Sequence, residues 1–365
     1  MTMTENPRKS AAKRYGKWLI GLTILLIGIT GFAAWKFQPR VPLLLMIATE
    51  VVPKGRYYGG PLAWLSNEEY VCFGADSRTL SRYRLSSGVY TPLLKQFGAQ
   101  WEGLDVQPSP NGKWLFWVKM KGPPSGAGSG SWLSGPEAFH AYITRLADTH
   151  TRELDGLQGG QWEPDSRHII DISPLSEGAN ESTVVIRDAL TSSISRTMPF
   201  APNVSSTRGN TIMVAPDRLL GISPIDTLER FSNEYAPVDI TEYGLDETLH
   251  ITHKWSVALP PQTTLREAKI SPIGDRIAWL VDAKDVAPGL AALHRLIPFI
   301  KVPSQPRHEL WISRLDGTGM RILGETSTKV RNGNPLLIGD LRWLPDGKHL
   351  SFFYDGALWT VPAKP

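Results

Sequence analysis

Cysteine is almost absent from this chain, because Cys72 is the only one among 365 residues. No disulfide can form within the chain, so its stability has to come from a buried core, which a chain of this length can build. Cys72 lies between Val71 and Phe73 in a short apolar run, and we interpret it as a buried hydrophobic residue of a strand.

The sequence signatures of several large enzyme classes are also missing. There is no GxSxG elbow, no Gly-rich phosphate loop and no HExxH motif. A serine peptidase would need a hydrolase domain, and we expect none, since the sequence ends at Pro365 directly after its last strand-like segment. The sequence therefore argues against a peptidase, and it identifies no catalytic residue, no metal site and no cofactor.

An excess of charge is missing from most of the chain. Residues 1–40 hold seven Lys/Arg and one acid, a net charge of +6, whereas residues 41–365 hold 32 Lys/Arg and 34 acids, a net charge of −2. Binding of DNA or RNA depends on neutralising phosphates with cationic side chains. The main part of the chain has no such excess, and we expect no nucleic-acid partner.

A single long apolar run occurs near the N-terminus. Trp18–Trp35 contains eighteen residues without a charge, about 27 Å as a helix, and it follows a basic tail at residues 1–17. We predict a transmembrane anchor at residues 18–37, with the tail in the cytoplasm and the remaining chain outside it in the periplasm or extracellular space, as a single-pass protein of the cell membrane. The alternative is a cleavable signal peptide, but the run exceeds the usual length of one.

The rest of the chain repeats a turn motif in which a strand ends in Pro or Ser and a tight polar turn follows. Pro ends a strand because it cannot donate to the ladder, and Asp-Gly or Asn-Gly adopts the positive φ of a tight hairpin. The six starts are Ser66-Asn67-Glu68-Glu69, Pro110-Asn111-Gly112-Lys113, Pro164-Asp165-Ser166-Arg167, Pro216-Asp217-Arg218, Pro272–Arg276 and Pro345-Asp346-Gly347-Lys348.

Each turn is followed by a second strand, several of which are apolar on both faces, as expected for strands covered by neighbouring sheets. Third elements follow at Tyr83–Leu85, Tyr142–Leu146, Val184–Arg187 and Trp311–Leu315. The fourth repeat, after Pro216, is the weakest by this pattern. The spacings of 44 to 73 residues between starts suit four-stranded blades with variable loops.

Two of these segments resemble a known repeat. SPIGDRIAW at Ser271–Trp279 and LPDGKHLSF at Leu344–Phe352 are similar to the repeats of TolB-type β-propellers, and the resemblance extends from about Pro61 to the C-terminus. It implies an all-β fold, a six-bladed β-propeller of four-stranded blades over residues 38–365, preceded by one transmembrane helix. Blades would start near residues 62, 105, 160, 211, 268 and 340. A β-sandwich, or two unrelated β-domains, is the alternative fold.

The way the ring closes can also be predicted. The last blade offers three strands, ending with Ala357–Val361, so one strand is missing and an apolar edge would stay unpaired. The spare β-prone segment is residues 43–52. We predict that it pairs with Ala357–Val361 as the outer strand of blade six, which would place Met46 and Trp359 on adjacent strands, and that Pro at Ile47 would break the closure.

Several apparent sites have simpler explanations. His250 and His253 resemble half a metal site, but residues three apart in a strand point to opposite faces. The turn residues Asn111, Asp165, Asp217 and Asp346 could suggest a carboxylate ring, yet Asp and Asn favour such turns by bonding their own backbone. Most of the thirteen tryptophans occur at repeat positions and are expected in the core, and Trp132 is the exception.

Two long interruptions of the repeat, residues 121–135 and 282–306, are the predicted binding surface. Both join strands two and three of a blade, so they should share one face of the ring with 324–335. The predicted contacts with a protein or glycan partner are Trp132, Leu293, His294, Arg295 and Phe299. The resemblance implies a fold rather than an activity. We favour a non-catalytic binding or scaffold module of the cell envelope; the alternative is a propeller-pocket enzyme such as a polysaccharide lyase or glycoside-processing protein.

Overall fold

The computed structural model describes Thr23 and most residues from Leu44 onward. The described ranges are 44–53, 61–74, 79–94, 105–120, 139–154, 157, 159–173, 183–200, 210–222, 237–260, 263–284, 306–327, 330–331, 334–335 and 338–364. The predicted tail at residues 1–17 and the predicted anchor at 18–37 lie outside them, except Thr23. A search of the described residues found no helix long and apolar enough to span a membrane.

The chain divides into two compact units. Residues 1–41 and 284–305 form one of them, of which only Thr23 and Lys284 are described. The other unit comprises residues 42–283 and 306–365. All of the architecture below belongs to this second unit.

Six four-stranded antiparallel sheets, the blades of a β-propeller, make up the second unit. In the first three blades, sequence order is also spatial order, from the innermost strand outward. Blade one consists of β2 (Ala63–Trp64), β3 (Glu69–Phe73), β4 (Leu80–Arg84) and β5 (Val89–Leu94). Blade two consists of β6 (Asp105–Pro108), β7 (Trp114–Met120), β8 (Phe139–Arg145) and β9 (Thr151–Leu154). Blade three consists of β10 (Gln161–Trp162), β11 (His168–Ser173), β12 (Thr183–Asp188) and β13 (Ile194–Pro199).

The next two blades have the same order. Blade four consists of β14 (Asn210–Ala215), β15 (Arg218–Ile222), β16 (Val238–Leu245) and β17 (Leu249–Val257). Blade five consists of β18 (Thr263–Ile270), β19 (Arg276–Lys284), β20 (Pro306–Arg314) and β21 (Arg321–Ser327). A two-stranded hairpin, β22 (Val330–Arg331) and β23 (Asn334–Pro335), precedes blade six. Blade four, which looked weakest in the sequence, is therefore a complete sheet.

Blade six joins the two ends of the ring. Its inner three strands are β24 (Gly339–Trp343), β25 (His349–Tyr354) and β26 (Ala357–Pro362). Its outer strand is β1 (Thr49–Val52), which pairs antiparallel with β26 and places Glu50 opposite Trp359. The predicted closure of blade six by the segment before blade one is confirmed.

The predicted extent of the closing strand is wrong. Leu44–Ile47 forms α1, a four-residue helical turn, instead of the first half of a strand over residues 43–52. Leu44 is fully buried, and Leu45 and Ala48 pack against the same apolar cluster, whereas Met46 is 78% exposed. A helical turn puts i, i+1 and i+4 on one side, so it buries these three residues and leaves Met46 off the strand that was expected to carry it.

The second strand of blade five shows why these strands are apolar on both faces. Ile277, Trp279 and Val281 belong to the core shared with blade four, whereas Ala278 and Leu280 belong to the core shared with blade six. All five are buried. Because successive strand residues point to opposite faces, each blade is packed on both sides by its neighbours.

Three of the turns between strands one and two, those of blades two, three and six, have the predicted chemistry. The side-chain Oδ1 atoms of Asn111, Asp165 and Asp346 each accept a hydrogen bond from the backbone N–H two residues later, at 2.8 to 3.0 Å. Gly112 and Gly347 have φ of +65° and +62°. These turns define one face of the ring, called the turn face here. The opposite face, which carries the links between strands two and three and between blades, is called the link face.

Candidate functional site

The predicted partner contacts cannot be located. Trp132, Leu293, His294, Arg295 and Phe299 all lie outside the described residues. The strands that flank their segments are described: residues 121–138 join β7 to β8, and residues 285–305 join β19 to β20. The strand ends that flank both segments lie on the link face. The hairpin of β22 and β23 follows β21, whose last residue is also on that face.

A central channel is enclosed by all six blades of the ring. It has a volume of about 560 Å³ and is lined by the innermost strands and adjoining turns of all six blades. Most of its wall is apolar, including Leu62, Val106 and Ile212. The lining residues from the first turns, such as Pro110 and Pro272, place this cavity toward the turn face. A pocket of this size suits a small ligand or one extended segment.

Tryptophan side chains at one repeat position connect successive blades around this channel. The indole N–H of Trp162 donates to the carbonyl of Gln107 in blade two at 3.2 Å, and that of Trp343 donates to the carbonyl of Lys269 in blade five at 2.8 Å. Trp64 donates to the hydroxyl of Ser351 in blade six at 2.8 Å. All three side chains are buried, which confirms that these tryptophans pack in the core.

Two polar side chains of the inner strands form hydrogen bonds with the next blade. One of them is a neutral amide and the other is a carboxylate. Gln161 donates to the carbonyl and hydroxyl of Thr211 and accepts from the N–H of Met213. Glu267 accepts from the N–H of Leu341 at 3.2 Å. Because the amide or carboxylate is used to join blades, neither residue is available for chemistry on a ligand without loosening the ring.

Two cationic side chains line the channel. Lys269 lines it and lies 3.2 Å from the Glu267 carboxylate. Arg342 also lines it, and its Nε is buried without a hydrogen-bond partner. A guanidinium in the wall of a channel can form charge-assisted hydrogen bonds with an anionic ligand.

A single cluster of described residues has the ligand spacing of a metal site. The carboxylates of Glu163 and Asp165 and the imidazole of His168 lie within 4.8 Å of one another at the first turn of blade three. Burial raises the pKa of Glu163, and the nearby Asp165 carboxylate adds to this. Asp165, however, already accepts the backbone N–H groups of Arg167 and His168 and contacts the His168 ring.

The same Asp–His pair recurs in blade six, where a metal trio is impossible. Asp346 contacts the ring of His349 at 2.7 Å, and the position of Glu163 is occupied by Leu344. The Asp-x-x-His pair is thus a feature of this turn type rather than of one site. The interpretation of Asp165 and Asp346 as turn residues is supported by these contacts.

His250 and His253 contact different carboxylates. His250 Nδ1 is 3.3 Å from Asp246, and His253 Nδ1 is 3.4 Å from Glu242. They do not form half of a shared metal site. The buried Cys72 is likewise inert, because burial raises the pKa of its thiol to about 12.

Sequence reasoning missed the channel cations and the metal-like cluster. Lys269 and Arg342 stand immediately beside the apolar residues Ile270 and Trp343, so strict alternation in an inner strand would have directed them to the channel. The cluster was missed because Asp165 was interpreted only as a turn residue. Glu163, two residues before it, and His168, three residues after it, were not considered together with it.

Comparisons with known proteins add likenesses of fold. No family model matches the chain, and no curated protein matches it. TolB from Acinetobacter baumannii is similar at 12% identity, covering 81% of this chain and 64% of that one, with a TM-score of 0.42. A putative TolB from Agrobacterium tumefaciens matches at 12% identity, 84% and 90% coverage and a TM-score of 0.42. An oligogalacturonate lyase from Vibrio parahaemolyticus matches at 10% identity, 87% and 93% coverage and a TM-score of 0.45.

Proposed function

We propose that this chain is a non-catalytic binding or scaffold propeller, held at the cell membrane by residues 18–37 with the ring outside the cytoplasm. Its partner, a protein or glycan, binds on the link face. The observation that carries the proposal is the distribution of connections in the ring. Where described, the joins on the turn face are tight turns, whereas the strand ends that flank the two long segments lie on the link face. Long loops on a rigid scaffold commonly carry binding function.

The proposed contacts are the residues that the sequence singled out in those segments. Trp132 stands in the Gly/Ser-rich segment between β7 and β8. Leu293, His294, Arg295 and Phe299 stand between β19 and β20. Tryptophan and arginine are among the side chains that most often anchor an interface.

The test compares the two faces in one capture experiment. The detergent-solubilised full chain is used as bait for envelope extracts, together with Trp132→Ala, a variant in which Gly-Ser replaces residues 290–300, and Ile273→Ala. Ile273 is 61% exposed in a turn-face turn, so its truncation is the matched control. We expect the first two variants to lose the partner that the wild type captures and Ile273→Ala to retain it. Equal capture by all four proteins would refute the link face as the binding surface.

The membrane part of the proposal has its own test. The chain should stay in the membrane fraction through alkaline carbonate washing, and the ring should be cleaved by protease only from the outer side. Recovery of a soluble form that begins near Trp35 would instead indicate a cleaved signal peptide.

The channel supports the second candidate, an enzyme such as a polysaccharide lyase or glycoside-processing protein. Its two cations and its volume of about 560 Å³ would suit an anionic sugar. Lys269→Gln separates the two functions, because a channel enzyme would lose turnover of such a substrate while a link-face scaffold would keep its partner.

A further inference from the structure

A second cavity lies away from the channel, between blades five and six at the turn face. It has a volume of about 910 Å³. Its walls come from the two turns of blade five, around residues 275–276 and 314–321, and from the first turn and the end of the third strand of blade six. The name basic cleft is used for it below.

The basic cleft concentrates positive charge on a part of the chain that has no excess of it. Its lining includes five cations and a single carboxylate, that of Asp275. Residues 41–365 as a whole carry a net charge of −2. The cations are Arg276, Arg314, Arg321, Lys348 and Lys364. A concave surface of one sign focuses the field on whatever enters it.

One of the five cations is used by the fold. The guanidinium of Arg276 donates to the carbonyls of Ala363 and Gly347, each at 2.6 Å, and lies over the Trp343 ring. It also pairs with Asp275, whose carboxylate in addition accepts from Ser271. The lone carboxylate of the lining is therefore already neutralised by a structural arginine.

None of the other four cations is held in a close ion pair with a described residue, although the charge of Arg314 helps to lower the pKa of the nearby Asp316 carboxyl. Within the part of the chain that the structure describes, no carboxylate lies within 4.0 Å of the side-chain nitrogens of Arg314, Arg321, Lys348 or Lys364. The Nη2 atom of Arg321 is buried and has no hydrogen-bond partner. A buried donor without an acceptor is costly, and Arg321 belongs to the lining of the cleft.

We propose that the basic cleft binds a phosphate ester. Four cations without a close ion pair on two blades favour a ligand with more charge than one carboxylate, and a phosphate monoester supplies roughly −1.5 to −2 with three acceptor oxygens. Arginine and lysine together are suited to it, the first for paired bonds and the second as a point charge. Ile312, Pro362 and Ala363 give the same cleft an apolar wall for the organic part of the ester.

The phosphate could come from a soluble ester or from a lipid headgroup, and the fold gives the second source a physical basis. Leu44, the first described residue of the ring, belongs to the same apolar cluster as Ile312 and Ala363 of the cleft wall. The lipid source, though not the cleft itself, rests on the proposed anchor. In the sequence, the proposed anchor at residues 18–37 ends only a few residues before Leu44.

The direct test is titration of the detergent-solubilised full chain with inorganic tripolyphosphate at low salt. The variant is Lys348→Gln with Lys364→Gln, two exposed side chains whose loss should not disturb the fold. The matched control is Lys113→Gln, which removes the same lysine of the same turn motif in blade two. We expect the Kd of the double variant to rise about tenfold and that of Lys113→Gln to change less than roughly twofold, with affinity falling as salt is added. No saturable binding by the wild type, or the same Kd in all three proteins, would overturn the proposal.

A second arm assigns the source. The chain is placed in nanodiscs of phosphatidylcholine alone or with phosphatidylglycerol, and hydrogen exchange of residues 314–321 is followed. Protection only in the anionic discs, absent in the double variant, supports the cleft as a headgroup site. Tripolyphosphate binding without such protection supports a soluble ester. A chain that proves soluble in carbonate but binds tripolyphosphate would contradict the anchor and leave the cleft standing.

Discussion

Neighbouring blades are held together by different hydrogen bonds at two joints of the ring. One joint lies between blades three and four, and the other lies between blades five and six. Gln161 fastens the first joint with a neutral amide that bonds Thr211 and Met213. Glu267 fastens the second with a carboxylate that accepts from Leu341. The neutral joint needs no counterion, whereas the charged one is accompanied by Lys269 at 3.2 Å.

The difference extends to the outer parts of the two joints. Arg276 crosses from blade five to blade six with bonds to two carbonyls, and Leu44 fills the core between the same blades. At the neutral joint, Arg196 makes one bond to the carbonyl of Leu245 at 3.1 Å. The joint beside the closing strand is therefore the more strongly reinforced one, and Arg276, one of the reinforcing residues, also lines the basic cleft.

Truncating Leu44, which packs between blades five and six, should lower the free energy of unfolding more than any other substitution proposed for these two joints. Leu44→Ala empties a fully buried site between blades five and six, and we expect it to lower the free energy of unfolding by about 3 kcal/mol. Met46→Ala, two residues away and 78% exposed, is the control and should cost less than about 0.5 kcal/mol. Urea unfolding followed by tryptophan fluorescence measures both. Equal effects would mean that α1 does not hold the joint.

Substitutions of Arg276 and Arg196, one at each joint, should give the next largest difference in the free energy of unfolding. Arg276→Ala removes two bonds to carbonyls and a contact with the Trp343 ring, so it should cost about 2–3 kcal/mol. Arg196→Ala removes one bond and should cost about 1 kcal/mol. The same unfolding measurement tests this order, and a larger loss for Arg196→Ala would reverse our ranking of the two joints.

Substitutions of Gln161 and Glu267 should differ less in their effect on the free energy of unfolding. Gln161→Leu leaves the N–H of Met213 and the carbonyl of Thr211 without their partner, and we expect a loss of about 1–2 kcal/mol. Glu267→Gln keeps an acceptor for Leu341 and loses only the attraction to half-buried Lys269, so it should cost less than about 1 kcal/mol. If both substitutions cost the same, the charge of Glu267 matters more to the joint than the shared bonding pattern indicates.

Sequence reasoning succeeded where the signal was local. The turn at Asp346-Gly347 needs a residue with positive φ and a side chain that bonds the backbone, and the residue types Gly and Asp predict both. The apolar second strand of blade five required two covered faces, which only neighbouring sheets provide. The closing strand followed from counting the strands of blade six, because an unpaired edge there is a liability.

Prediction failed where neighbours in space decide the outcome. The helical turn at Leu44–Ile47 depends on a gap between blades five and six into which Leu44 fits, and no propensity in LLMI reports that gap. The basic cleft draws its cations from turns more than thirty residues apart, such as Arg314 and Lys348. Only the side-by-side packing of two blades brings them together.

Substitution of Asp346, a turn residue that titrates, should have the smallest effect on stability at neutral pH. Burial alone would raise the pKa of Asp346, but bonds from the backbone N–H groups of Lys348 and His349 and from the His349 ring lower it below the ordinary 3.8. Asn111 makes the same turn bond in blade two without a charge. Asp346→Asn should therefore change stability at pH 7 by less than about 0.5 kcal/mol.

The acid range separates the wild type from this variant. A carboxyl whose pKa is lower in the folded chain contributes stability that is present above the unfolded value of 3.8 and is lost as the pH falls through the folded one. Urea unfolding between pH 5 and pH 2 should therefore show a shallower decline for Asp346→Asn than for the wild type, and Asn111→Asp should steepen it. Parallel curves for all three proteins would show that the charge of this turn contributes nothing, and that blade six relies on the same neutral turn chemistry as blade two.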